Sequence, residues 1–268
     1  MSNIEAANAL LTAINFDRFA EIEARHAPDV RFFSFLGPTL TNSVDVEDWH
    51  RRFLRDYADC NYAEVEEIED GNTVVARATI QAKGYDWRPF TQRVVEVLQF
   101  EEGLVTERRL YGTLRDLELD KTATKALEEA LEFRGGNASA TRKAAETLFT
   151  AFLSGDLEPA KEVVAEKVVL IDGVYGIATG LENIAELLNA IPKPAFGIPR
   201  ITAIYAGDKN ALVEIAVDPA RPRAAYWVRM VEGKISVIEG YWMLREIGVE
   251  PRQNYARDRH QRQVILPI

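Results

Sequence analysis

The sequence contains a single cysteine, Cys60, among its 268 residues, so no internal disulfide can form. A lone cysteine fits the reducing cytosol, and no basic stretch precedes an apolar one near Met1, so we expect a cytoplasmic protein. Histidines are also few. The three histidines, at positions 26, 50 and 260, lack the spacing of metal ligands, and we expect neither a metal nor a cofactor.

Long apolar runs and an excess of basic residues are missing as well. No apolar run reaches the roughly 18 residues that a membrane span needs, so we expect no membrane partner. The net charge of −10 argues against nucleic acid, because phosphate binding needs clustered Lys and Arg. The basic cluster over 252–262 is interpreted as a solvated or subunit-contacting tail.

The sequence does contain a repeat: the same order of secondary-structure elements is predicted in both halves of the chain. Apolar periodicity and turn residues predict two helices, a strand, a third helix and four strands in each half. In the first half these are helices within 4–25, a strand over 30–35, a helix over 46–58, and strands over 63–69, 73–83, 90–101 and 104–115. In the second half they are helices over 141–153 and 158–166, a strand ending at Asp172, a helix over 181–190, and strands over 199–206, 210–217, 223–232 and 234–246.

The last hairpins of the two halves align best. Glu102-Gly103 and Glu232-Gly233 are turn signals, and eight residues separate glycine from tyrosine in each half, at Tyr111 and Tyr241. A repeat of more than a hundred residues indicates two copies of a domain rather than a solenoid. We predict a first domain over 1–120, a linker over 121–140 that includes a short helix, a second domain over 141–250 and a tail over 251–268.

Asp172 is the strongest candidate for a catalytic residue. The apolar strand formers over 168–171 bring its carboxylate to the end of a strand, and Gly173 lets the chain turn. In an apolar cavity such a carboxylate loses solvation and becomes a better base near neutral pH. The alternative is that Asp172-Gly173 is simply a turn, and the residues alone leave both interpretations open.

Three helices followed by a long, bent sheet resemble the cone-shaped fold of the nuclear transport factor 2-like superfamily. The first half resembles its SnoaL-like branch at 27–30 (Ala-Pro-Asp-Val) and at 89–93 (Pro-Phe-Thr-Gln-Arg). The second half resembles the ketosteroid isomerase branch in the spacing from 155–157 to Asp172 and in its ending at Tyr241-Trp242. The resemblance implies an α+β protein with two tandem cone-shaped domains, each with three helices packed on a strongly bent antiparallel sheet.

The resemblance also implies how the domains associate. Domains of this superfamily usually dimerise through the outer face of the sheet, so we expect an intramolecular pseudo-dimer, with Tyr111 and Tyr241 on that face. Further assembly into a homodimer is left open.

Site residues follow from the resemblance one position at a time. Asp172 falls where the isomerases keep their general base, Tyr226 where they keep a protonated aspartic acid as oxyanion donor, and Trp242 where an aromatic residue lines the pocket. Leu148 departs from the pattern, because the isomerases have their main oxyanion-donating tyrosine there. In the first half the first position is held by Ser34, or by Phe33 or Phe35 if the register slips, and the other two by Glu96 and Gly112. None of the first three is a base, so the isomerase pair is missing.

Two other residues are substrate-binding candidates in the first half, together with Trp242 in the second. Glu96 lies in an apolar run and either points inward, faces solvent, or pairs with Arg93 or Arg109. His50 either looks into the first cavity as an acid/base group or is a partly exposed helix residue.

The function that these residues and the resemblance favour is cofactor-independent acid/base catalysis. We expect an isomerase or cyclase acting on an apolar small molecule, such as a polyketide- or terpenoid-like intermediate of secondary metabolism. The alternatives are a non-catalytic small-molecule binder, a structural module, or epoxide hydrolase or dehydratase chemistry in one cone. Polyether epoxide hydrolases are also tandem proteins of this fold, but Asp172 has no glutamate companion near 198–202.

Overall fold

Two units make up the chain. The computed structural model describes residues 2–56, 58–83, 89–114, 117–191 and 197–249. The first unit comprises residues 1–116 together with the segment that starts at Met243, and the second comprises Leu117–Trp242. The predicted tail over 251–268, with its basic cluster, lies outside the described residues.

In its described part, the first unit packs three helices on five strands. Its elements are α1 (Asn3–Asn15), α2 (Phe19–Ala24), β1 (His26–Ser34), α3 (Ser43–Asp56), β2 (Ala58–Asp70), β3 (Thr73–Lys83), β4 (Pro89–Glu101) and β5 (Leu104–Gly112). The strand order is β1-β5-β4-β3-β2, in which β1 is parallel to β5 and the other pairs are antiparallel. α1 is amphipathic and buries a stripe of Ala7, Leu10 and Ile14.

The second unit repeats this arrangement with one helix and one strand more among its described residues. Its elements are α4 (Lys121–Glu132), α5 (Ala138–Ser154), α6 (Glu158–Lys161), β6 (Val164–Asp172), β7 (Gly176–Thr179), α7 (Leu181–Ala190), β8 (Arg200–Ala206), β9 (Asn210–Ala216), β10 (Ala224–Val231) and β11 (Lys234–Trp242). The strand order is β7-β6-β11-β10-β9-β8, with β6 parallel to β11. The predicted α+β class, with helices on a bent sheet in each of two domains, is confirmed.

Several segments differ from their predicted structure. Residues 164–166, predicted as the end of a helix, begin β6, and residues 244–246, predicted as the end of a strand, lie in the 3₁₀ helix Leu244–Ile247. Residues 173–180, predicted as a loop, contain the short strand β7, which pairs with the end of β6. The predicted linker over 121–140 contains α4, whose Ala123 and Ala130 are buried against β6 and β11. Because this helix buries its apolar face on the second sheet, the segment belongs to the second unit rather than forming a separate linker.

Equivalent turns and bulges set the same strand register in both units. Glu102-Gly103 and Glu232-Gly233 have positive φ at both positions, as a two-residue type I′ hairpin turn requires. Just beyond each turn the ladder shifts by one residue, at Gln99/Phe100 in one unit and at Arg229/Met230 in the other. Bulges of this kind bend the sheet. Among the described helices, none is both long and apolar enough to cross a membrane.

Candidate active site

Asp172 ends β6 and points into the interior of the second unit, where it is 0% exposed. Its partner on β11 is Gly240, and the partner of Gly240 on β10 is Tyr226. These three residues therefore form one row across the sheet, with their side-chain positions on the same face. Trp242 lies two residues beyond Gly240 and shares this face.

Three N–H donors hold the Asp172 carboxylate. Oδ1 accepts hydrogen bonds from the backbone N–H groups of Val174, at 2.8 Å, and Tyr175, at 3.0 Å. Oδ2 accepts a hydrogen bond from Nε1 of Trp242 at 2.8 Å. The first two bonds shape the turn into β7, and the third fixes the carboxylate inside the unit. Asp172 thus makes the turn and points inward at the same time.

Trp242 and Tyr226 belong to an aromatic group beside this carboxylate. The Tyr226 ring lies 5.0 Å from Phe149 of α5 and 5.8 Å from Trp242, measured between ring centroids. Burial and then the nearby Asp172 charge raise the pKa of the Tyr226 hydroxyl well above its usual value. Among the described residues, none accepts a hydrogen bond from this hydroxyl. It is therefore a neutral donor that is available to a ligand.

Two more residues of this site went unnoticed in the sequence. Tyr175 is half-buried, its ring contacts Trp242 edge-on at 5.3 Å, and burial and the Asp172 charge raise its pKa. Arg223 is buried just before β10, and its positive charge opposes the rise in pKa of both tyrosines. The turn after Asp172 could have indicated Tyr175. Nothing in the sequence indicated that Arg223 belongs to the site, since arginines beside strands are usually exposed.

In the first unit, Glu96 points inward and forms a buried ion pair with Arg108. Arg108 Nε donates to one Glu96 carboxylate oxygen at 3.1 Å and Nη2 donates to the other at 2.7 Å. Both side chains are 0% exposed. The partner of Glu96 is thus Arg108 rather than the predicted Arg93 or Arg109, and Glu96 does not face solvent.

His50 is fully buried and joins this ion pair, so the interpretation as a partly exposed helix residue is wrong. Its Nδ1–H donates to the carbonyl oxygen of Val46 at 2.8 Å, and its Nε2 accepts from Arg108 Nη1 at 3.0 Å. Burial and then the Arg108 charge lower the pKa of His50 well below its usual value. The ring is therefore neutral, with both nitrogens in use.

Tyr62 completes the buried network, which we call the Arg108 network (His50, Tyr62, Glu96 and Arg108). The Tyr62 hydroxyl donates to Glu96, and burial raises its pKa well above the usual value. Arg108 also stacks over Phe32, 4.8 Å from the ring centroid. The four polar side chains of the Arg108 network thus bond to one another inside the first unit.

His26 lies near this network and makes the stability of the protein depend on pH. Its Nδ1–H donates to the carbonyl oxygen of Ile22, and its buried Nε2 has no partner among the described residues. Burial and then the Arg108 charge lower its pKa to about 3. The unfolded value is about 6.5, so unfolding below that pH takes up a proton. The contribution of His26 to the stability of the folded protein is complete above pH 6.5 and is lost as the pH falls toward 3.

We expect the free energy of unfolding to fall by up to about 1.4 kcal/mol per pH unit below pH 6 because of His26. The His26→Asn variant keeps an amide donor for the Ile22 carbonyl but does not titrate, so its stability should fall less steeply. Urea unfolding of both proteins at pH 7.5, 6 and 5 measures the two slopes. Equal slopes would contradict the role of His26, because every other titrating group is common to both proteins.

Neither a metal cluster nor a reactive thiol is found where the chain is described. No group of three His, Cys, Asp or Glu side chains within those ranges could hold a metal ion. Burial raises the pKa of the Cys60 thiol to about 12, so it is not a nucleophile near neutral pH.

The family comparison concerns the first unit. Residues 7–108 match the family profile of the SnoaL-like domain. The first unit carries a SnoaL-like domain. His50, Glu96 and Arg108 all lie within the matched residues, whereas Asp172 and its row lie outside them. No curated protein matches the chain.

Three solved structures that are similar to this chain have different descriptions. A nuclear transport factor 2-like protein of unknown function from Burkholderia pseudomallei is 25% identical over 42% of this chain and 92% of that chain, with a TM-score of 0.39. A candidate polyketide cyclase from Pseudomonas putida is 14% identical over 46% of this chain and 97% of that chain, with a TM-score of 0.39. A hypothetical protein with a ketosteroid isomerase-like fold from Catenulispora acidiphila, in complex with trimethylamine, is 16% identical over 40% of this chain and 84% of that chain, with a TM-score of 0.38. Each match covers less than half of this chain.

Proposed function

We propose that the second unit is a cofactor-independent acid/base catalyst of the isomerase or cyclase type, acting on an apolar small molecule such as a polyketide- or terpenoid-like intermediate. The observation that carries the proposal is the row in which Asp172 and Tyr226 lie on the two sides of Gly240. A buried carboxylate and a buried neutral hydroxyl on one face are the two groups that proton transfer beside a carbonyl needs.

Asp172 removes a proton from the carbon next to a carbonyl group. The electron pair of that C–H bond forms a C=C bond, and the carbonyl π electrons move to the oxygen, which accepts a hydrogen bond from Tyr226. In an isomerase, Asp172 returns the proton to a different carbon. In a cyclase, the enolate carbon attacks a second carbonyl of the same molecule, and the proton passes from Asp172 to the new alkoxide oxygen.

The surroundings of the row support an apolar substrate and an ordered base. Phe149 of α5 contacts the Tyr226 ring, Ile238 lies two residues before Gly240 on β11, and both side chains are buried. The N–H groups of Val174, Tyr175 and Trp242 donate hydrogen bonds to the Asp172 carboxylate and fix its position in the row.

Proton exchange tests the proposal without knowledge of the natural substrate. A panel of apolar cyclic ketones is incubated with the native chain in D₂O, and loss of the α-proton signal is followed by NMR against buffer alone. We expect at least one ketone to exchange faster than in buffer. Binding without exchange would support a non-catalytic binder, and neither binding nor exchange across the panel would contradict both functions.

Replacing Tyr226 with phenylalanine should slow exchange of a responsive ketone by about 10- to 100-fold. The change removes one hydrogen bond to a developing oxyanion, which contributes about 1.5–3 kcal/mol, and keeps the contacts of the ring with Phe149 and Trp242. Tyr205→Phe is the matched control, because its hydroxyl is also buried but bonds to Glu214. An equal loss in both variants would argue against an oxyanion role for Tyr226.

Epoxide opening or dehydration in the first unit is a weaker candidate. Such chemistry needs a carboxylate that can activate water or take up a proton. Both oxygens of Glu96 are held by Arg108, and Tyr62 donates to the same carboxylate. We therefore infer that the interior of the SnoaL-like domain has a structural role.

A further inference from the structure

Gly240 lies between Asp172 and Tyr226 and leaves the centre of their row without a side chain. A Cβ placed on Gly240 would lie 2.2 Å from Oδ2 of Asp172 and 2.9 Å from its Cγ. The three nearest atoms to that Cβ all belong to Asp172, and real Cβ contacts essentially never fall below 3.0 Å. The carboxylate thus leans across β11, over the Gly240 backbone, in the direction of Tyr226.

The backbone does not explain this glycine. Gly240 lies inside β11, is paired on both sides, and is not among the glycines with positive φ. A glycine within a strand destabilises it, and often marks a place where a ligand approaches the backbone closely. Space above the strand is the remaining reason for glycine at this position.

The first unit has a leucine at the position of Gly240. Leu110 pairs with Ser34 on one side and with Glu96 on the other, as Gly240 pairs with Asp172 and Tyr226. The leucine side chain is fully buried, at the position where the second unit has the Asp172 carboxylate over Gly240. The glycine therefore occurs in the unit that also has the carboxylate.

We infer that Gly240 positions the base and selects flat carbonyl substrates, an inference that rests on the proposed function. Asp172 and Tyr226 are two strand spacings apart, about 10 Å between Cα atoms, so their polar groups approach each other only across Gly240. Trp242 and Ile238 bound this slot at its two ends on the same strand face. A flat conjugated or cyclic ketone suits the space between the Asp172 carboxylate over Gly240 and the Tyr226 hydroxyl, because its α-carbon and its carbonyl oxygen can meet the two groups at once.

A thermal double-mutant cycle tests the positioning role without any substrate. Gly240→Ala alone should lower the Tm by about 5 °C, because the new methyl group displaces the Asp172 carboxylate from its three donors. In the Asp172→Ala background the same change should leave the Tm unchanged or raise it, since alanine suits a strand better than glycine. An equal decrease in both backgrounds, measured by calorimetry, would overturn the assignment.

The α-proton exchange rates of two ketone probes test the selection of flat substrates. The native chain should exchange the flat 3-methylcyclohex-2-enone above the buffer rate but not the bridged norcamphor, and Gly240→Ala should slow the first by about 100-fold. Equal exchange of the two probes, or an unchanged rate in Gly240→Ala, would overturn the selection of flat substrates. If the native chain exchanges neither probe nor any other ketone, the proposed function fails, and the thermal cycle still decides whether Gly240 positions Asp172.

Discussion

Replacing Asp172 with asparagine should lower the ketone proton-exchange rate by about 10²- to 10⁴-fold, the usual contribution of a general base. The amide has nearly the shape of the carboxylate, and its oxygen still accepts hydrogen bonds from the N–H groups of Val174 and Tyr175. Its nitrogen then faces Nε1 of Trp242, so one hydrogen bond is replaced by two opposed donors. We therefore expect a small loss of stability and a large loss of activity.

The matched control for Asp172→Asn is Asp208→Asn, which makes the same chemical change at an exposed turn. This control should keep the exchange rate of the native chain. Rates are compared over a range of ketone concentrations, and we expect the loss to fall on kcat, since a base acts in the transition state rather than in binding. An Asp172→Asn variant with the native rate would remove the proposed role of this residue.

The fold was predictable because it depends on local patterns that occur once in each half of the chain. The Glu-Gly turn signals fix the start of each last hairpin, and the apolar runs around them give the strands. The short strand β7 was missed because it has only four residues and lies between glycines, so its sequence shows no clear alternation of apolar and polar residues. α4 was recognised as a helix, but nothing in its sequence says which sheet its apolar face will cover.

The partner of Glu96 was missed because of one bulge. Continuing the ladder from the turn pairs, Glu101 with Leu104 and Phe100 with Val105, would place Arg109 opposite Glu96. The ladder instead shifts by one residue beyond Phe100, which turns Arg109 to the other face and brings Arg108 to the face of Glu96. The pattern of apolar and polar residues along the sequence does not reveal where a strand contains one extra, bulged residue.

The candidate site was predictable in part, for the same physical reason. Asp172, Tyr226 and Trp242 follow from the resemblance, and the structure places their side chains on one face. His50 has helical spacing with the buried Val46 and Phe53, which could have indicated its burial. The lean of the Asp172 carboxylate over Gly240 depends on a contact across two strands, and no spacing along the chain encodes it.

Replacing Arg108 with methionine should destabilise the protein by about 3–5 kcal/mol, the usual result of removing one partner of a buried ion pair. The Glu96 carboxylate would stay at 0% exposure without a cation, and Nε2 of His50 would lose its donor. Methionine keeps an unbranched apolar stem over Phe32, so lost packing contributes little. Urea unfolding measures the change, with Arg52→Met, at an exposed position of the same domain, as the control.

The Glu96→Gln, Arg108→Met double variant separates the charge from the contacts. Glutamine can still accept a hydrogen bond from Tyr62 and carries no charge, so the double variant should recover a large part of the loss of the single variant. If the interior of the SnoaL-like domain is structural, the double variant should also keep the ketone exchange rate under conditions in which it is folded. A stable Arg108→Met protein would show that Glu96 does not need its cation, and a folded double variant without exchange would move the chemistry to the Arg108 network.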